Sequence, residues 1–216
     1  VTVKTAPFAS MGGDRRVVSN ATTDRRLLEQ SIQLQRAMEA AIQLHLFPKS
    51  KFEISVWILQ DDGSRLMAAM NATTLALVDA GIPIHDLVCA CSAGLSNSGD
   101  DSSTTPLVDL NRKEESSFGG QPAVVVPCAM MPSRDTVVLA QCEARLGSTK
   151  VLEHVLGAAR MACKTVVLDA MQAAIREHAT GILKARSGQY TVVQNEMIMM
   201  TKQSEQEQEE EFMSIS

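Results

Sequence analysis

Two adjacent carboxylates, Glu114 and Glu115, lie in the stretch DLNRKEESSFGGQPAVVV (109–126), followed by two serines and a glycine pair. Carboxylates in such a loop could hold a divalent cation or pass a proton to a leaving oxygen. Upstream, the arginine pairs Arg15–Arg16 and Arg25–Arg26 flank a loop rich in Ser and Thr that follows a glycine pair. Guanidinium forks match phosphate oxygens and stay charged, so these pairs suit a grip on phosphate or on an RNA backbone. A solvated basic loop has the same composition, and the spacing alone does not choose between the two. A third stretch, CSAGL (91–95), closes an apolar run with Ser92, Ala93 and Gly94. Side chains that small let backbone N–H groups approach an anion.

Other chemistries lack their residues. The sequence has no GxSxG elbow, no GxxxxGK[ST] loop and no GxGxxG turn. His45, His85, His154 and His178 are dispersed, and the five Cys (89, 91, 128, 142 and 163) form no CxxC pair. That usage reads as reduced core thiols of an intracellular protein, not as a disulfide framework or a zinc site. The chain has 216 residues, 45% hydrophobic and 21% charged, enough to bury a core of ordinary size. Only 3% are aromatic, so aliphatic side chains and twelve Met must fill that core. Of the 25 acids, five Glu lie in the tail QSEQEQEEE (203–211); without them acids and bases balance at 20 each. Any basic site is therefore local. No apolar run reaches the ~18 residues of a membrane span.

These residues need elements to position them. VTVKTAPFA and FEISVWILQ alternate as strands. A helix is predicted from about Arg25 to Phe47, capped by Asp24 and ended by Pro48. DDGS (61–64) reads as a hairpin turn, and LMAAMNATTLALVDAG (66–81) as a buried helix. DLVCACSAG (86–94), PLVDLN, AVVVPCAMM (123–131) and DTVVLAQCEARL are strands. LSNSGDDSSTT (95–105) is a polar insertion. A long amphipathic helix is predicted over 148–183, with Ser148 as its cap. The order predicts an α/β (α+β) class, a mixed β-sheet packed with helices, in a single domain over 1–187. Residues 188–216 form an extension whose acidic end reads as disordered.

Three blocks, DRRLLEQSIQLQRAMEAAI, NATTLALVDAGIPIHDLVCACSAG and LVDLNRKEE, together resemble the RNase PH family. That family includes bacterial RNase PH, polynucleotide phosphorylase and the ring subunits of the RNA exosome. DAGIPIHDLVCACSAG looks closest to a eukaryotic ring subunit whose archaeal counterpart carries the phosphorolytic site. The resemblance runs from about Val1 to Ile182 and implies an RNase PH-like fold. Relative to the family, the N-terminal strands are expected to be missing from this sequence.

The resemblance also implies a site. In active relatives an arginine at the start of the first helix and a strand-end turn hold phosphate. By position these are Arg25 or Arg26, and Ser92, Ala93 and Gly94. Two Asp, six residues apart, follow the Glu pair and serve the metal or the leaving oxygen. Read without gaps, they fall on Ser116 and Pro122, neither of which supplies a carboxylate. The resemblance thus implies a non-catalytic ring subunit with no cofactor or metal. Arg15, Arg16, Arg25 and Arg26 would guide single-stranded RNA. Its partners would be other RNase PH-like ring subunits, cap subunits with RNA-binding domains and a hydrolytic exonuclease, in nucleus, nucleolus and cytoplasm. One alternative is an active phosphate-dependent exoribonuclease, using Mg²⁺ and inorganic phosphate, with Glu114 or Glu115 replacing the missing Asp. Another is a ring protein without RNA contact.

Overall fold

Alternation in TVKT and SVWI makes two short strands, β1 (Thr2–Thr5) and β2 (Ser55–Ile58), which pair in parallel with Val3 opposite Val56. Parallel neighbours need a crossover, and helix α1 (Ala21–Ala41) lies between them in the chain. The computed structural model describes residues 1–6, 8–9, 21–95, 105–116, 124–142 and 148–187, with only the backbone of 21–24 and 116. Two compact units divide the chain at Met171/Gln172.

Helix α1 starts earlier than predicted, so Asp24 lies within its first turn and does not precede it as a cap. It also ends earlier, at Ala41, and a 3₁₀ turn (Leu44–Leu46) covers the rest of the predicted span. Helix α2 (Arg65–Asp79) buries Met67, Met70, Thr73, Thr74 and Leu77 on one face. Beyond it come β3 (Cys89–Leu95), β4 (Leu107–Val108), α3 (Arg112–Ser116), β5 (Val124–Met131), β6 (Thr136–Ala140) and α4 (Thr149–Ala162). The second sheet is antiparallel, in the order β4-β3-β5-β6. The mixed character thus comes from two sheets, one parallel and one antiparallel.

Strand β3 is buried along its whole length because helices cover both faces of its sheet. Ala90, Ala129 and Met131 meet α1 and α2 residues such as Leu34, Met38 and Met70. Cys89, Cys91, Val126, Cys128 and Met130 meet Val155, Ala159 and Cys163. Six of the twelve Met (38, 67, 70, 130, 131 and 171) fill this interior, as the scarcity of aromatics requires. Four of the five Cys are buried and all five are free thiols, with Cys142 partly exposed. Burial, with the Asp86 charge adding to it, pushes the Cys89 thiol up to about 12. Cys163 also titrates high, chiefly because its thiol hydrogen-bonds Cys128 and Cys91.

Ser148 caps α4 as predicted, its hydroxyl accepting from the Lys150 N–H at 3.3 Å. The long helix, however, is interrupted by a π-helical turn, Cys163–Val167. Helical backbone resumes at 168 and closes the first unit; residues 172–187 are helical in the second. Among the described residues no helix is long and apolar enough to cross a membrane.

Candidate functional site

A cleft of about 1000 Å³ opens where α1, the start of α2, β3 and α3 meet. Helix α1 contributes Arg26, Glu29, Gln30 and Gln33. Their spacing of three and four puts them on one helical face. The junction of β2 and α2 contributes Asp61, Gly63, Ser64 and Arg65; Ser92, Arg112, Glu115 and Gln141 complete the polar lining. Three arginines therefore share the space with three carboxylates.

Two glycines make this junction possible. Gly63 has φ +108°, and a Cβ there would lie 2.6 Å from the Leu110 carbonyl oxygen and 2.8 Å from the Arg112 nitrogen. At Gly94 a Cβ would lie 2.6 Å from Leu110 Cδ1 and 2.7 Å from the Val124 carbonyl oxygen. Residues 110–112 can thus lie against both β3 and the start of α2. The Arg112 N–H donates to the Asp62 carbonyl at 2.6 Å, and the Asp109 N–H to the Ser92 carbonyl at 2.8 Å. Ser64 follows in the left-handed region at φ 48° and turns the chain into α2. DDGS is therefore no hairpin turn: its positive φ values resemble a hairpin's, but an apolar helix follows and β2 pairs back onto β1.

Serine hydroxyls tie the walls together. The Ser64 and Ser92 hydroxyls hydrogen-bond each other. Ser64 Oγ also donates to the Leu110 carbonyl at 3.0 Å, and the Leu110 N–H donates to Ser92 Oγ at 3.2 Å. Asn71 anchors α2 to β3: its amide donates to the Ala90 carbonyl and accepts from the Ala90 N–H, both at 2.8 Å.

The two glutamates have separate tasks. Asn111 caps α3, its side-chain oxygen accepting from the Lys113 and Glu114 N–H groups at 3.0 Å. Glu114 reaches back to the Asn111 N–H at 2.8 Å, completing a capping box. Glu115 instead faces the cleft, where it accepts the Ser64 N–H at 2.8 Å. Asp61 is paired with Arg65 at 3.2 Å, four residues on. Among the described residues no three His, Cys, Asp or Glu side chains converge as metal ligands would.

The site residues read from the sequence part company here. Arg26 and Ser92 line the cleft, whereas Arg25 is exposed and does not. Ser92, Ala93 and Gly94 do not form a strand-end turn. β3 continues to Leu95, Ala93 and Gly94 pair with both β4 and β5, and Ser92 is 1% exposed. The small Gly94 admits Leu110, not an anion. Arg15, Arg16 and Pro122 lie outside the described residues, as does the side chain of Ser116. Sequence reading missed Gly63, Ser64, Arg65, Arg112 and the glutamines. One signal was available: Gly-Ser-Arg directly before an apolar helix marks a helix N-terminus, where unpaired N–H groups favour anions.

Residues 1–83 match the model of the 3′ exoribonuclease family, domain 1. The chain is 42% identical to the exosome complex component RRP41 of Bos taurus over 135 residues, which cover 62% of this chain and 49% of that protein. It is 41% identical over 121 residues to the RRP41 homolog of Arabidopsis thaliana, covering 56% and 46%. Over 112 residues it is 38% identical to Rrp41 of Thermococcus kodakarensis, covering 52% and 41%. The chain thus spans about half the length of these relatives or less. The crystal structure of rice (Oryza sativa) Rrp46 superposes with a TM-score of 0.60 at 20% identity, over 81% of this chain and 72% of that one. The fold is the RNase PH fold, α/β with helices packed on the sheets.

Proposed function

We propose that the chain is a core-ring subunit of an RNA exosome, one that guides single-stranded RNA and leaves its cleavage to an associated hydrolytic nuclease. Relatives at 41–42% identity are exosome complex components, which supports the assembly. Arg26 and Arg112, with the N-terminus of α2 beside them, suit sequence-independent contacts to phosphates. The observation that carries the non-catalytic reading is the commitment of both glutamates. Glu114 closes a capping box and Glu115 satisfies the Ser64 N–H, so both act as architecture. The positions where active relatives place Asp read as Ser116 and Pro122. Removing one preorganised group of that kind costs on the order of 10²–10³ in rate. The partners would be other RNase PH-like ring subunits, cap subunits and the nuclease, in nucleus, nucleolus and cytoplasm.

A second reading has an observation of its own. Glu115 shares the cleft with Arg26, Ser64 and Arg65, which suits a phosphate-dependent exoribonuclease using Mg²⁺ and phosphate. The two readings separate in one assay. The chain is reconstituted with its ring partners and given end-labelled RNA, Mg²⁺ and inorganic phosphate. The expected result is no phosphate-dependent release of nucleoside diphosphates. Release that disappears in Glu115→Gln would establish the second reading instead.

A further inference from the structure

The cleft has a feature that phosphate guidance does not use. Its α1 wall carries Gln30 and Gln33 beside Arg26, and Gln141 faces them from the end of β6. Gln33 donates from Nε2 to Gln141 Oε1 at 2.9 Å, which ties α1 to the antiparallel sheet. Gln30 Oε1 is buried and has no hydrogen-bond partner. A buried, unpaired acceptor is unfavourable, and a donor that reaches it recovers the loss.

Gln30 lies one helical turn beyond Arg26 on the same face, with ~5–6 Å between Cβ atoms. That is the scale separating a phosphate from the sugar hydroxyl of the same nucleotide. The cleft therefore offers a cation and, one step along, a glutamine that lines it and whose unpaired oxygen a turn of the side chain would bring to its surface. A nucleic-acid backbone has one group that fits the second place. Inside a strand, phosphates, ring oxygens and deoxyribose only accept, whereas the ribose 2′-hydroxyl donates.

We infer that Gln30 is the residue by which this cleft distinguishes RNA from DNA, its side-chain oxygen accepting the 2′-hydroxyl of a nucleotide whose phosphate lies at Arg26. The inference rests on the reading of the cleft as an RNA site. Gln33 and Gln141 are positioning residues, since their mutual hydrogen bond holds the wall in place. Base amino and imino groups are also donors, so the test must separate sugar from base.

The full chain is titrated with fluorescent oligoadenylate, the same oligomer in 2′-deoxy form, and oligouridylate, with binding followed by anisotropy. The two ribo-oligomers are expected to bind alike and ~10-fold more tightly than the deoxy form, as loss of one hydrogen bond of about 1.4 kcal/mol implies. Gln30→Leu, which keeps helix propensity and length, should bring that ratio to near one while deoxy binding holds. Arg26→Gln should weaken all three oligomers and keep the ratio. Equal ribo and deoxy affinity in the unaltered chain, or a ratio that survives Gln30→Leu, overturns the sugar assignment and leaves the RNA reading standing. Adenylate and uridylate differing more than ribose and deoxyribose do would assign Gln30 to the base instead. If no oligomer binds, both readings fall.

Discussion

Ser92 shows how one side chain can serve a site without touching a ligand. Its hydroxyl meets Ser64 and accepts the Leu110 N–H, so β3, the start of α2 and the α3 loop are joined at one oxygen. Removing it leaves a buried N–H and a hydroxyl short of a partner, a loss of ~1–3 kcal/mol. Ser92→Ala is therefore expected to lower Tm in a calorimetric scan by several degrees. An unchanged Tm would mean that water replaces the hydroxyl fully. The two glutamates give the converse lesson. Side by side in sequence they look like a catalytic pair, yet one helical step separates a capping carboxylate from a cleft-facing one. The sequence singled out the pair, but could not tell Glu114 from Glu115, because the side-chain direction is set by where α3 begins.

At the scale of elements, the junction between β2 and α2 depends on backbone freedom. Gly63 occupies φ +108°, where L side chains are strained, and its missing Cβ faces backbone atoms that cannot move aside cheaply. Gly63→Ala should destabilise the fold by about 2 kcal/mol or more, read from denaturant midpoints at unchanged m. It should also displace the Arg112–Glu115 segment, visible as faster amide exchange at the Ser64 N–H. Gly81→Ala provides the control: its φ of +69° is also strained, but a Cβ there meets nothing within 4 Å. The difference between the two variants isolates the contact with residues 110–112. Helix α4 shows a second kind of departure. Its periodicity reads as one helix, yet a π-helical turn intervenes where Cys163 meets Cys91 and Cys128. Hydrophobic spacing does not register a single extra residue in a turn.

For the whole molecule, the proposed role needs the cleft arginines to meet RNA in the assembled ring. Arg26→Glu with Arg112→Glu should cut RNA crosslinking to this subunit several-fold, and the loss should shrink as salt rises. Undiminished crosslinking would mean that these two arginines are not the RNA contacts. By itself the sequence determined which of the longer segments are strands and which are helices, but it left α3 as a loop. The burial of the strand read at 86–94 and the local, not global, character of any basic site were also legible in it, whereas the helix read as buried over 66–81 buries only one face. These follow from periodicity, composition and charge, which are properties of neighbours along the chain. Only the tertiary structure decided that Ser64 and Arg65 stand beside Arg26 and Glu115, that Ala93 and Gly94 are closed into a ladder, and that three glutamines share the wall. Those relations join residues dozens of positions apart. They depend on close backbone approaches at Gly63 and Gly94, and no local pattern encodes the distance between two segments that meet only when the core has packed.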